Sequence, residues 1–290
     1  MCDEQTIAGQ TPVPEGAMTR RRFATLAAGG VLAAGLPQIA QATEVVGSDV
    51  VVTTPDGEAD CFLVHPAKGR HPAVLIWPDI LGLRPAFRAM GTRLAQSGYT
   101  VLVANPYYRQ ARSPVVEEGA SFRDAPTREK VLPLARSLTP ATNVTDANAF
   151  AAFLDRQAST DTQRGMGTTG YCMGGPMTMR TAAALPERIA AAASFHGGRL
   201  VTDAPDSPHL LIPRMRASYL FAVAEDDDAR EPEVKGQLRD AFAAAGLSAE
   251  IEVYAGAQHG WCSLDSAVYN EVQAERAWAR LLHLFGTALA

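Results

Sequence analysis

The chain has 290 residues, of which 47% are hydrophobic, and its formal net charge at pH 7 is -5. This length and apolar content predict one large or two small globular domains with a sizeable core. The mild acidity argues against a nucleic-acid-binding protein, which would need a clustered basic face. The four cysteines form no C-x-x-C pair, which argues against a thioredoxin-like or zinc-ribbon protein.

An export signal is predicted within residues 1–42. Residues 19–23 read TRRRF, a twin-arginine sequence, an alanine- and glycine-rich apolar run follows over residues 24–34, and residues 40–42 read AQA, which suits a signal peptidase. The apolar run is too short to span a bilayer. We therefore expect twin-arginine export to the periplasm or medium, removal of residues 1–42, and no membrane attachment afterwards. Residues 43–290 are expected to form a single domain.

Short apolar runs alternate with helical patterns after residue 45, which predicts an α/β fold with a mostly parallel central sheet and helices on both faces. The predicted strands are 49–54, 60–65, 73–77, 100–104, 165–171, 189–196, 217–224 and 249–255. The predicted helices are 84–97, 143–157, one starting near residue 174, 231–245, and about 267–286. Residues 105–140 carry several prolines and charges, which is typical of a functional loop or lid.

A cysteine among glycines, in GMGTTGYCMGG over residues 165–175, is the candidate nucleophile. The frame from Gly170 to Gly174 matches the sharp strand-to-helix turn on which hydrolases hold a nucleophile. Such a turn would lift the Cys172 thiol off the sheet, and the following helix would favour the thiolate through its N-terminal partial positive charge. The alternative is a buried thiol that acts as a small hydrophobe.

An acid and a histidine follow later strands, in the chain order of α/β-hydrolases. His259 follows residues 249–255, and the acidic run that starts at residue 225 follows residues 217–224. Counting from the end of that strand, a small-x-x-Asp turn selects Asp227, while Asp226 and Asp228 remain open. A carboxylate at this place would fix the histidine tautomer and stabilise the imidazolium.

Other residues that follow predicted strands complete the candidate site. The backbone N–H groups of Met173 and Ile80 are the expected oxyanion donors. Polar and aromatic side chains near the same sheet edge are candidates for substrate binding or for support of the catalytic groups: Asp79, Arg109, Tyr108, His196 and Trp261. A satisfied core histidine is an equally good interpretation of His196.

The turn GYCMGG, the acid after the next-but-one strand, and YAGAQHGW over residues 254–261 resemble the dienelactone hydrolase family of α/β-hydrolases. This resemblance implies a triad of Cys172, Asp227 and His259. It places Arg109, within NPYYRQ, in the role of the arginine that binds a substrate carboxylate. Asp79 stands where the family's type enzyme has a glutamate beside the cysteine. The chain has no arginine shortly after His259, where the type enzyme has a second one, so we expect little preference for acidic substrates.

The sequence thus predicts a cysteine-dependent hydrolase that cleaves a small ester or lactone through a thioester, with no metal or organic cofactor and no nucleic-acid partner. Two alternatives remain, an exported ligand-binding relative without activity and an acyltransferase that uses the same site. The oligomeric state stays open. An oxidising compartment would also permit a disulfide between Cys61 and Cys262, although their spacing does not show that they meet.

Overall fold

The computed structural model describes residues 43–290, so the predicted leader at residues 1–42 lies outside the described residues. One sheet contains all the strands of this part of the chain, in the order β1-β2-β4-β3-β5-β6-β7-β8. The strands are β1 (Val45–Thr54), β2 (Gly57–Pro66), β3 (Ala73–Trp77), β4 (Thr100–Ala104), β5 (Met166–Tyr171), β6 (Ile189–Phe195), β7 (Ser218–Ala224) and β8 (Ala249–Tyr254).

The helices lie between the strands except for the last one, which follows β8, as the sequence pattern predicts. They are α1 (Pro85–Gln96), α2 (Ala125–Ser137), α3 (Pro140–Asp155), α4 (Gly174–Ala184), α5 (Glu225–Arg230), α6 (Val234–Ala244) and α7 (Glu271–Ala288), with a 3₁₀ helix at Pro208–Arg214. None of the helices described for residues 43–290 has both the length and the apolar character needed to cross a membrane.

Strand direction follows the connections. β1 and β2 form an antiparallel hairpin, and β2 pairs antiparallel with β4. From β4 to β8 every neighbouring pair is parallel, because a helix returns the chain to the same end of the sheet each time. The predicted mostly parallel α/β fold is therefore confirmed.

The sheet separates two apolar cores, which explains why its central strands β3, β4 and β5 are buried at every position. In β3, Leu75 and Trp77 face one core, whereas Val74 and Ile76 face the other. Successive side chains of a strand point to opposite faces, so a strand covered on both sides buries every residue. α1 and α7 pack on one face, and α2, α3, α4 and α6 pack on the other.

Two predicted segments are organised differently in the structure, apart from shifts of three or four residues at the starts of β1, β2, α3 and α7. Residues 105–140 contain the helix α2, whose Pro126 lies in its first turn, where no backbone N–H is needed. The predicted helix over residues 231–245 is instead preceded by the short α5, and α6 begins only at Val234. Pro232 lies between them and cannot continue a helix.

The possible disulfide between Cys61 and Cys262 is absent from the described structure, where both are free, buried thiols. Cys61 in β2 belongs to the core on one face of the sheet, and Cys262 belongs to the core on the other. The two sulfurs cannot meet because the sheet lies between them.

Candidate active site

The Cys172 turn has the strained backbone that the glycine frame predicts. Cys172 follows β5 directly and has a φ of 51°, in the left-handed region that a residue with a side chain rarely adopts. Its N–H donates to the Phe195 carbonyl at 3.0 Å, and its carbonyl accepts from the Gly175 N–H at 3.0 Å. These backbone bonds hold the strained residue between the ends of two parallel strands and the start of α4.

The glycines around Cys172 are needed for close packing. A Cβ atom at Gly170 would lie 2.1 Å from the Gly174 carbonyl oxygen, and one at Gly174 would lie 2.3 Å from the Trp77 carbonyl oxygen. Any side chain at these two positions would push α4 away from the strands. The G-x-C-x-G spacing therefore fixes the path of the chain from β5 into α4, and with it the position of the thiol.

Tyr107 links the two residues predicted to supply oxyanion donors. Its hydroxyl donates to the Ile80 carbonyl at 2.8 Å and lies 3.3 Å from the Met173 sulfur. Ile80 lines the same cleft as Cys172, and Met173 is the residue directly before α4. Nothing in the chain order indicates that Tyr107 reaches across to the residues that follow β3 and β5, so the sequence alone did not reveal these contacts.

The three consecutive aspartates at the start of α5 make different contacts with His259 and Lys235, and Arg230 pairs with both Asp226 and Asp227. Asp227 Oδ2 lies 2.7 Å from His259 Nδ1. Asp226 accepts a hydrogen bond from the backbone N–H of His259 at 2.8 Å, and Asp228 pairs with Lys235 at 2.7 Å. Successive helical side chains point about 100° apart. Aspartates in one turn can therefore contact the His259 ring, the His259 backbone and Lys235 separately.

The nucleophile candidate and two histidines form one cluster. One ligand-type atom each from Cys172, His196 and His259 lies within 4.8 Å of the others. Because Asp227 binds Nδ1 of His259, Nε2 is the nitrogen that remains for the thiol. This arrangement can transfer a proton between sulfur and imidazole, and the three atoms together could also hold a metal ion.

His196 follows β6 and is 1% exposed, yet neither of its ring nitrogens has a hydrogen-bond partner among residues 43–290. Its ring meets the His259 ring edge to face, with the centroids 4.9 Å apart. Burial first, and then the neighbouring His259, hold the pKa of His196 well below its usual range. The imidazole is therefore neutral at pH 7 and presents its ring to the cleft.

Asp79 lies in the cleft wall, but its carboxylate is held by Arg84. Two guanidinium nitrogens of Arg84 donate to Asp79 at 2.7 and 2.9 Å, and the Leu81 N–H donates to it at 2.9 Å. Arg84 also donates to Asp265 at 2.6 and 3.0 Å. Burial disfavours the charged form of Arg84, but the carboxylates of Asp79 and Asp265 outweigh burial and raise the pKa of its guanidinium. The sequence did not reveal that Arg84 and Asp265 belong to this group. Asp265 follows Arg84 by 181 residues, so their contact depends on the fold.

Arg109 and Tyr108 do not line the cleft, contrary to the expectation from sequence. The guanidinium of Arg109 donates two hydrogen bonds to the buried Asp146, at 2.6 and 2.9 Å, and also binds Asp56 in the β1–β2 turn. The Tyr108 hydroxyl donates to the same Asp146 at 2.7 Å. The segment after β4 therefore turns towards the hairpin, and its arginine pairs with two acids there.

Trp261 does not line the cleft directly either, because it is fully buried. Its ring lies edge to face against His196, with the centroids 5.2 Å apart, and stacks on Tyr254. Trp261 therefore supports the His196 ring from behind and does not contact a ligand in the cleft.

The cleft at the carboxyl ends of the strands has a volume of about 320 Å³. Cys172, His196 and His259 line it together with Asp79 and Arg84. Residues 119–123, from the predicted lid stretch, and residues 264–269 form other parts of its wall. The apolar side chains of the wall are Ile80, Leu81, Phe122, Leu264, Val268 and Tyr269.

Comparisons with known proteins agree with this fold. The dienelactone hydrolase family model matches residues 59–289. A relative from Methylorubrum extorquens, provisionally named a carboxymethylenebutenolidase, is 26% identical over 98% of this chain and 96% of its own length. A relative from Salmonella typhi with the same provisional name is 29% identical over 75% of this chain and 77% of its own.

Solved structures resemble the whole described domain. A crystal structure from Klebsiella pneumoniae, provisionally assigned as a dienelactone hydrolase, superposes with a TM-score of 0.73 at 24% identity, over 84% of this chain and all of that one. The dienelactone hydrolase from Anabaena variabilis gives 0.61 at 18% identity, over 85% and 99%. Since the family model spans most of the sequence, the chain belongs to the dienelactone hydrolase family of α/β-hydrolases and is a hydrolase of carboxylic ester or lactone bonds.

Proposed function

We propose that the protein cleaves a small ester or lactone by covalent catalysis at Cys172, through a thioester intermediate. The observation that carries this proposal is the hydrogen bond of 2.7 Å between Asp227 and His259, whose ring shares one cluster and one cleft with Cys172. A nucleophile, a base beside it and an acid that orients the base form the triad arrangement of acyl-transfer enzymes.

In the first half-reaction the Cys172 sulfur attacks the carbonyl carbon of the substrate, and His259 holds the thiol proton. The carbonyl π bond breaks, and its electron pair moves to the oxygen. The backbone N–H groups of Ile80 and Met173 are the donors assigned to that oxyanion. When the C–O bond breaks, His259 gives the proton to the departing alkoxide, and an acyl group remains on sulfur. In a lactone the new hydroxyl stays attached to the acyl group.

The second half-reaction uses the same groups with water as the nucleophile. His259 removes a proton from the water that attacks the thioester carbonyl, and the Asp227 carboxylate stabilises the imidazolium that forms. Collapse of the second oxyanion breaks the C–S bond. The proton then returns from His259 to the sulfur, which restores the starting state and releases the carboxylic acid.

The lining of the cleft favours a substrate with an apolar acyl or alcohol group. A volume of about 320 Å³ suits a small molecule, and apolar side chains make up much of the wall. Two arginines and two aspartates also line the cleft. Arg84 is shared by Asp79 and Asp265, a group with a net charge of about -1, and Arg123 adds a positive charge to the wall. Arg109 is occupied by Asp146 and Asp56.

The test is turnover of aryl esters by the mature chain and by Cys172→Ala, with the buried Cys61→Ala as the matched control. We expect turnover in the parent and the control, and an acyl adduct on Cys172 by intact-mass spectrometry when the reaction is quenched early. Turnover that survives Cys172→Ala would refute the proposal. Faster product formation with added alcohols or amines, with the acyl group on the added nucleophile, would identify an acyltransferase instead.

We propose in addition that the chain is exported by the twin-arginine route. The support is the order of the three arginines, the short apolar run and the small residues within residues 1–42. Replacing both Arg20 and Arg21 by lysine should leave the precursor inside the cell in a fractionation experiment. Export that continues unchanged would contradict this route.

A further inference from the structure

His196 is a buried polar group that the proposed hydrolysis leaves without a role. It is 1% exposed, and within the described part of the chain both of its ring nitrogens lack a hydrogen-bond partner. It also has a φ of 40°, which a residue with a side chain rarely adopts. Buried donors and acceptors are nearly always satisfied, so an unsatisfied imidazole that lines a cleft points to a ligand.

The neighbours of His196 supply the other ligands of a metal ion. One donor atom each from Cys172, His196 and His259 lies within 4.8 Å of the others. A tetrahedral zinc site with bonds of 2.0–2.3 Å holds its ligand atoms roughly 3.3–3.6 Å apart. The spread of up to 4.8 Å exceeds that spacing by roughly 1.2–1.5 Å, so the side chains must rotate to close on an ion.

The groups behind this cluster also match a metal site. The second ring nitrogen of a histidine ligand usually donates its N–H to a carboxylate, and this hydrogen bond fixes the tautomer and the ring orientation. His259 makes this contact, through its Nδ1 and Asp227, at 2.7 Å. On the other side, the ring of Trp261 packs against His196 with the centroids 5.2 Å apart and limits its movement.

We propose that Cys172, His196 and His259 form a reversible binding site for Zn²⁺ or a similar borderline-soft divalent cation. The thiol gives up its proton to solvent when the metal binds, and no redox change is needed. One thiolate and two imidazoles select such ions over Mg²⁺ and Ca²⁺, which prefer oxygen ligands. The fourth coordination position faces the cleft. A bound cation is coordinated by the Cys172 sulfur, which can then no longer attack a substrate. The cation therefore inhibits any reaction at Cys172.

The test measures metal binding in the absence of substrate, so its outcome does not depend on the proposed hydrolysis. The full mature chain is titrated with Co²⁺, and the near-ultraviolet sulfur-to-cobalt charge-transfer band reports a thiolate ligand. Zn²⁺ affinity is then measured by competition with a chromophoric chelator. We expect one ion per chain, and a charge-transfer band that disappears in Cys172→Ser.

The decisive variant is His196→Asn, because asparagine tolerates a positive φ better than most residues. Its matched control is His283→Asn, on the exposed face of α7. We expect His196→Asn to weaken Zn²⁺ binding by about a hundredfold or more, and the control to bind as the parent does. Equal affinity in both variants, binding without the charge-transfer band, or no binding of Zn²⁺ at micromolar concentrations would overturn the proposal.

A second variant keeps the test decisive if His196→Asn does not fold. Asp227→Asn leaves all three ligands in place but removes the carboxylate behind His259. We expect it to weaken Zn²⁺ binding about 10- to 100-fold while the charge-transfer band of the cobalt form persists. Unchanged affinity would show that the metal binds elsewhere.

Discussion

Replacement of Asp227 by asparagine tests the proposed triad most directly. The carboxylate accepts from His259 Nδ1 at 2.7 Å and thereby directs Nε2 to the thiol. An amide at the same place can present its NH₂ group and so favour the opposite tautomer. In a serine triad the corresponding change lowers kcat on the order of 10⁴-fold, which is about 5.4 kcal/mol of transition-state stabilisation. A smaller loss is expected here to the extent that the cysteine is already a thiolate.

The adjacent acids provide matched controls for that variant. Asp226→Asn keeps an oxygen that can accept from the His259 backbone N–H, so we expect a loss below about tenfold. Asp228 pairs with Lys235 near the surface, and Asp228→Asn should leave kcat/KM nearly unchanged. The assay is kcat/KM for an aryl ester, with thermal unfolding measured for every variant. Comparable losses in all three variants would refute the assignment of Asp227.

Three further changes are expected to have measurable effects. Iodoacetamide should label Cys172 in the native protein well before Cys61, because burial raises the pKa of Cys61 to about 12; equal labelling rates, measured by peptide mass spectrometry, would contradict this. Arg109→Ala should lower the free energy of unfolding by about 3 kcal/mol, because Asp146 would remain buried without its cation. The same variant should show an unchanged preference between matched acidic and neutral esters. A loss of activity confined to acidic esters would show that this arginine contacts the substrate after all. Gly174→Ala should lower the melting temperature sharply, since the new Cβ would lie 2.3 Å from a backbone carbonyl oxygen of β3, and an unchanged melting temperature would show that the turn can relax.

Local patterns were sufficient to predict most of the elements. The apolar run of β3 and the helical pattern of α1 lie within one or two residues of their predicted bounds. The proline-rich stretch after β4 was harder to predict, because a proline in the first turn of a helix and a proline in a loop give the same local sequence pattern. α2 forms there because Val131 and Ala135 pack into the core on one face of the sheet, and that packing overrides the unfavourable composition.

The sequence by itself determined the α/β class and the tight turn at Cys172, because alternating apolar runs and closely spaced glycines act over a few residues. Only the tertiary structure decided the long-range pairings of the site. Arg84 meets Asp265 across 181 residues, and Arg109 meets Asp146 rather than the cleft. A charged side chain on a loop can reach many partners, and its choice depends on which carboxylates the folded backbone brings within hydrogen-bond distance and shields from water.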